Sequence, residues 1–268
     1  MKPEERQEFA QRILTDLYHE RYIETIFNAE EEKYQKKGWT LKSGLWSPWF
    51  FNLRPVGATP RIVSDIAYAM NHLVQDEAPG LTQIVGIEMA GVPLVSAIGL
   101  AHGPGCQLIP YAYTRPLPGS KARTPAEAKE ALKELNFKYG QKELVEGRFE
   151  DGDVLCIVDD MVTDFGSKLI AKSILEFEME RRGVRNVDIK HVAVVLDREQ
   201  GGAGEAASNG MYLHSLIKFK TDGLGWLKGV MLPGEHELIS DYQNNPQKYQ
   251  DEKLQREVLE GVSRARLK

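Results

Sequence analysis

Two adjacent acids, Asp159 and Asp160, are followed closely by Thr163, Gly166 and Ser167. Carboxylates accept hydrogen bonds from sugar hydroxyls. Hydroxyls and backbone N–H groups at the start of a helix suit a phosphate. One ligand uses both halves of the cluster, a ribose carrying a 5-phosphate. Asp164 stands inside the same loop, and a carboxylate aimed at a phosphate is repulsive. It has to point away, pair with the nearby Lys168, or weaken binding. The plainer reading of the turn alone is an ordinary strand–turn–helix with Asp164 as N-cap.

The cluster needs a strand before it and a helix after it. Val154–Val158 is a short apolar run between Gly152 and the acid pair, which predicts a strand buried on both faces. From about Phe165, the residues Leu169, Ile170, Ile174 and Leu175 recur at helical spacing. In an open α/β sheet, ligands sit at the carboxyl ends of such strands. Gln83–Met89 predicts a second buried strand, turning through Ala90 and Gly91 into a helix over Leu94–Ala101. Further strands are predicted over Gln107–Tyr113 and Asn186–Leu196. A helix follows Pro60, marked by Ile62, Ile66, Met70 and Leu73.

Ahead of these, residues 3 to about 35 predict two helices, one carrying Phe9, Ile13, Leu14 and Leu17, the other Ile23, Ile26 and Phe27. Trp39–Arg54 has the composition of a hairpin with a turn at Ser43 and Gly44. Arg115 opens a long polar segment with Pro116, Pro118 and Pro125. Within it, Thr124 and Glu127 form a capping box that predicts a helix over Pro125–Leu135. So long a polar connection predicts a lid.

Hydrophobic residues make up 42% and charged residues 27% of the 268 positions, ordinary for a soluble globular protein. A net charge of −5 argues against bulk affinity for nucleic acid or an anionic membrane. No apolar run reaches the roughly 18–20 residues of a membrane span, and the acidic N-terminus is unlike a signal peptide. Cys106 and Cys156 both fall in apolar, strand-like runs and are expected as buried thiols in a reducing cytoplasm. The histidines form no pair at ligand spacing, so no structural metal site is expected.

The stretch Val154–Ser167 resembles the phosphoribosyl diphosphate (PRPP) signature of type I phosphoribosyltransferases: an apolar run, two acids, two apolar residues and a Thr/Gly/Ser-rich loop. Phe165 stands where that family usually has a small residue, and Asp164 where it has Ala, Ser or Thr. Thr40-Leu-Lys-Ser-Gly44, Ser47-Pro48 and Trp49-Phe-Phe-Asn52 resemble the orotate phosphoribosyltransferases in particular. So do Leu196-Asp-Arg-Glu-Gln-Gly-Gly202 and Leu213-His-Ser215. Phe137–Gly147 looks like the family's catalytic loop, with Phe137 in the register of the catalytic lysine and Lys138 one residue later.

The resemblance implies an α/β type I phosphoribosyltransferase fold: a mostly parallel five-stranded sheet with helices on both faces, an N-terminal hood and a C-terminal extension. Residues 1–54 would be the hood, 55–220 the core with a lid at 114–147, and 221–268 the extension. It implies transfer of phosphoribose from PRPP to orotate, giving orotidine 5′-phosphate and diphosphate, with Mg²⁺ held mainly through PRPP. Asp160, Lys138 and Arg115 would be catalytic. Lys42, Ala90, Gly91, Asp159, Asp160, Thr163, Asp164, Gly166 and Ser167 would bind PRPP. Phe50, Phe51, Thr163 and Arg198 would bind orotate, Arg198 as a fork on its carboxylate. A cytoplasmic homodimer is expected. A phosphoribosyltransferase for another base, or a non-catalytic nucleotide-binding relative, are the alternatives.

Overall fold

The computed structural model describes residues 1–41, 44–117, 122, 124–134 and 143–266. Elements in chain order are α1 (Pro3–His19), β1 (Ile23–Thr25), α2 (Glu32–Lys37), β2 (Trp39–Thr40), β3 (Trp46–Ser47), β4 (Trp49–Phe51), α3 (Pro60–Glu77), β5 (Gln83–Gly86), α4 (Gly91–Gly99) and β6 (Tyr111–Thr114). They continue as α5 (Pro125–Glu134), β7 (Val145–Glu146), β8 (Val154–Val162), α6 (Gly166–Arg182), β9 (Asp188–Asp197), α7 (Gly202–Ser208), β10 (Tyr212–Lys218), α8 (Leu224–Leu227), α9 (Pro233–Asn244) and α10 (Glu252–Arg266).

The main sheet runs β10-β9-β8-β5-β6-β7. Its first five strands pair in parallel, and β7 joins antiparallel at the edge. The expected five parallel strands are therefore present, with a sixth, two-residue strand added where the polar segment returns. Alternation along the strands gives the sheet two buried faces. Ile84, Cys156, Val158, Ala193 and Val195 point into one cluster with α1, α3 and α4. Val85, Leu155, Ile157, Val192 and Val194 point into the other with α5, α6 and α7.

The second expected N-terminal helix does not form where it was predicted. Ile23–Thr25 is a strand that pairs antiparallel with Trp49–Phe51, Ile23 opposite Phe51. The β-branched residues of Ile23–Thr25 suit an aromatic partner strand, and tertiary pairing overrides the helical spacing. Only Glu32–Lys37 is helical there. The hairpin forms as expected, with Trp39 opposite Ser47. The capping box also forms, Thr124 and Glu127 exchanging backbone hydrogen bonds at the start of α5.

The C-terminal extension packs on the hood. Glu235 of α9 is buried, and its carboxylate accepts bonds from Tyr18 Oη at 2.8 Å and Thr25 Oγ1 at 2.5 Å. Tyr242 Oη donates to the Trp46 carbonyl at 3.1 Å. Residues from α1, the hood, the sheet and the extension share one apolar cluster. Cys156 is buried in β8, where burial pushes its thiol up to about 12. Cys106 is only half-buried, in a loop before β6 rather than in a strand. Among the described residues no helix is long and apolar enough to cross a membrane.

Candidate active site

Strand β8 does not stop at the acid pair. It runs on to Val162, with Asp159 opposite Val194 and Met161 opposite Leu196. This carries both carboxylates to the carboxyl edge of the sheet, between the β5–α4 turn and the hood. A cleft of about 350 Å³ opens there. It is lined by Phe50, Phe51, Asn52 and Arg54 of the hood, by Glu88, Met89 and Ala90 after β5, and by Asp159, Asp160, Thr163, Asp164, Ser167 and Lys168 of β8 and the start of α6. An aromatic wall, an acid pair and a hydroxyl-bearing helix start thus face one space.

The turn into α6 explains the two departures of this loop from its sequence pattern. Phe165 is held at φ 67°, in the left-handed region. That conformation costs a non-glycine residue about 1–2 kcal/mol. The ring offsets it by burial, being 1% exposed among Ile157, Ile174 and their neighbours. Burying a Phe side chain fully contributes about 1.5–3 kcal/mol, so the packing outweighs the strain. Phe165→Gly is therefore expected to lower stability by about 2–4 kcal/mol, the loss of a buried ring less the relief of the turn. Urea unfolding measures this, and an unchanged midpoint would mean that the ring contributes nothing there. Asp164 is exposed and turns back, its Oδ1 accepting the Gly166 N–H at 3.1 Å. It caps the helix start and makes no bond to Lys168.

Lys168 was read only as a possible partner for Asp164, yet it is 3% exposed and lines the cleft. Its Nζ donates to Asp159 Oδ2 at 2.7 Å, to the Met161 carbonyl at 2.5 Å and to Ser167 Oγ at 3.2 Å. Asp159 Oδ1 also accepts the Asp160 N–H, and Asp160 Oδ1 accepts the Met161 N–H. Burial, and then the neighbouring Asp159 carboxylate, push Asp160 up to about 7. Asn52, Arg54, Glu88 and Met89 also line the cleft without having been singled out. The signal for Lys168 was its place on the inward stripe of α6 with Ala171, Leu175 and Glu178.

Of the residues singled out in the sequence, Phe50, Phe51, Ala90, Asp159, Asp160, Thr163, Asp164 and Ser167 come together on the cleft. Gly166 starts α6 just behind them. Gly91 has a packing role: a Cβ there would meet the Val158 carbonyl at 2.6 Å. Arg115, just after β6, is paired with Glu146 Oε1 of β7 at 2.6 Å. Lys42 and Lys138, with Phe137, lie outside the described residues.

Arg198 stands behind the cleft rather than on its wall. It is fully buried, with its guanidinium carbon 3.9 Å from the centroid of the Trp49 ring. Nη2 donates to Ser47 Oγ at 3.2 Å, while Nε and Nη1 find no partner among the described residues. Burial holds this guanidinium down to about 10. The sequence reading put Arg198 directly on the carboxylate of the base; in the structure Trp49 covers it.

Among the described residues no group of three His, Cys, Asp or Glu side chains is placed to hold a metal. Asp159 already holds Lys168, so the acid pair does not offer a protein-made site for a divalent cation.

No protein-family model matches the chain. The fold is that of the type I phosphoribosyltransferases. It superposes on UMP synthase of Leishmania donovani with a TM-score of 0.63 at 19% identity, covering 89% of this chain and 42% of that one. On orotate phosphoribosyltransferase of Francisella tularensis the TM-score is 0.54 at 18% identity, covering 85% and 96%. Within that class the sequence is similar to the orotate phosphoribosyltransferases. The enzyme of Thermoplasma volcanium is 27% identical over 178 residues, 66% of this chain and 86% of the relative. Uridine 5′-monophosphate synthase of Bos taurus is 27% identical over 181 residues, 68% of this chain. The chain spans only 32% of that longer relative.

Proposed function

We propose that this protein transfers the phosphoribosyl group of PRPP to orotate, forming orotidine 5′-phosphate and diphosphate in pyrimidine nucleotide synthesis. The observation that carries this reading is that one cleft is lined by Phe50 and Phe51 as well as by Asp159, Asp160, Thr163 and Ser167. A flat apolar wall takes one face of a planar pyrimidine. The start of α6 and the Ser167 hydroxyl take the 5-phosphate. The acid pair accepts the ribose hydroxyls and stabilises the positive charge that develops at C1 as the diphosphate leaves. The β5–α4 turn at Ala90 faces the same space and offers backbone to the diphosphate. Any Mg²⁺ would be held mainly through PRPP and would neutralise charge on its diphosphate, and Lys42 and the lid residue Lys138 would supply cations to the leaving group. The working species is a cytoplasmic homodimer with lids that reach the neighbouring site. Loss of orotate absorbance in the presence of PRPP and Mg²⁺ tests the reaction, and sedimentation tests the dimer.

Arg198 retains a role in this reading. Its Nε and Nη1 have no hydrogen-bond partner among the described residues, and guanidinium N–H groups are donors that a carboxylate takes. Arg198→Lys removes the fork but keeps the charge. Orotate affinity is expected to fall by roughly tenfold or more, the loss of a charge-assisted hydrogen bond, with PRPP affinity changed much less. Calorimetric titration of both ligands checks it. Equal weakening would assign Arg198 to scaffolding beneath Trp49.

One observation favours a second reading, a nucleotide-binding protein without turnover. Asp164 already occupies the Gly166 N–H, a donor that a phosphate would otherwise use. PRPP binding without any loss of orotate would establish that reading, and turnover would exclude it.

A further inference from the structure

We propose that Lys168 is a ligand-binding residue that changes partner, holding Asp159 in the empty cleft and the 5-phosphate in the occupied one. The inference rests on the ribose-phosphate half of the reading above, and not on the identity of the base. A lysine on the inward stripe of a helix, third from its start, is not explained by packing. Its ammonium and the Arg54 guanidinium are the cations among the described lining residues. The ammonium lies within 3.2 Å of Ser167 Oγ, a hydroxyl at the start of α6 that also lines the cleft. The stem is four flexible carbons, and the head carries three donors that can be reassigned one at a time.

The exchange follows from charge. A phosphate monoester carries about −1.5 to −2 at neutral pH and three acceptor oxygens, whereas Asp159 offers at most one negative charge. With Ser167 Oγ and the Met161 carbonyl as fixed neighbours, the ammonium has only to release Asp159 Oδ2, now at 2.7 Å, to meet the phosphate. Releasing it frees that oxygen to accept a ribose hydroxyl. The two halves of the ligand are thereby read in order. A ribose without its phosphate meets an acid that is already engaged, while a ribose with one frees the acid it needs. Discrimination against unphosphorylated sugars then exceeds what the missing phosphate contacts alone would give.

The test titrates inorganic phosphate and ribose 5-phosphate into the full chain by calorimetry, for wild type, Lys168→Met, Asp159→Asn and Asp159→Asn/Lys168→Met. Lys168→Met should weaken both ligands by about tenfold or more, the loss of a charge-assisted bond. Asp159→Asn should tighten inorganic phosphate several-fold by releasing the ammonium, and that gain should vanish in the double variant. If the gain persists without Lys168, or if Lys168→Met binds inorganic phosphate as wild type does, Lys168 merely neutralises Asp159 and the inference is wrong. Should Lys168→Met fail to fold around an unpaired buried carboxylate, the comparison of Asp159→Asn with the double variant carries the same test. Wild type that follows this pattern yet leaves orotate unconsumed costs only the base assignment. Wild type that binds neither phosphate nor ribose 5-phosphate overturns the exchange together with the sugar-phosphate site.

Discussion

Asp160→Asn is expected to lower turnover of PRPP and orotate by about 10²–10³-fold, the scale for removing a preorganised group that meets charge developing in the transition state. The substitution keeps the shape of the side chain and the acceptor for the Met161 N–H, so the folded chain should survive. The pH dependence separates this from a packing effect. Burial and the Asp159 carboxylate raise Asp160 to about 7. It is therefore largely protonated below that value and ionised above it. Catalysis that needs the charge rises with pH through about 7 and then levels, while the residual rate of the variant is flat there. The sign for stability is opposite. An acid raised in the folded state binds protons more readily folded than unfolded, so its ionisation costs stability between the ordinary carboxylate range and about 7. Relative to wild type, the Asn variant should gain stability as pH rises through that window. A steady-state profile with no inflection near neutrality, or an Asn variant of near wild-type rate, would remove Asp160 from the ribose site.

Lys138→Ala should also lower turnover by about 10²–10³-fold, with PRPP affinity changed less, because a lid cation acts mainly on the departing diphosphate. Lys138 lies outside the described residues, so this expectation rests on its neighbourhood in the sequence. Phe137 holds the register of a catalytic lysine and Lys138 follows by one position. Loops absorb a one-residue slip that a strand could not, since no ladder fixes their side chains to a face. Lys142→Ala, beyond Gly140, should do little. Steady-state rates of the two variants side by side decide the matter. If Lys138→Ala matches wild type, the charge comes from Lys121, Arg123 or Arg115. Arg115 is the weakest of these, because Glu146 already holds it.

The β8–α6 region was legible because local signals agreed. A run of apolar residues, two acids and a change to helical spacing each pointed to a strand that delivers carboxylates to a helix start. The mostly parallel sheet with helices on both faces followed from the alternation of such units. Elements fixed by distant partners were not legible. Ile23–Thr25 has a helical spacing of apolar residues and becomes a strand only because Trp49–Phe51 offers an edge. The inward turn of Lys168 was hidden by habit, since lysine reads as solvent-facing, although its stripe on α6 marked the position. Arg198 stood out through the resemblance, but its cover did not, because the Trp49 ring against it is set by hood strands and by stacking on Phe219. Contacts of this kind appear only once the chain has closed.

The bond from Tyr18 to Glu235 joins residues 217 positions apart. During synthesis the aromatic wall therefore exists as sequence long before it can exist as a surface. α1 and β1 leave the ribosome early, but the carboxylate that ties them together arrives only with α9. Until then Tyr18 and Thr25 have no acid to bond, and Trp46 lacks the cover of Tyr242 and Tyr249. At about 5–20 residues per second, an unfinished hood is held open for many seconds while the sheet behind it can already form. The hood side of the cleft is thus completed only when α9 arrives, after the strands of the main sheet have all been made.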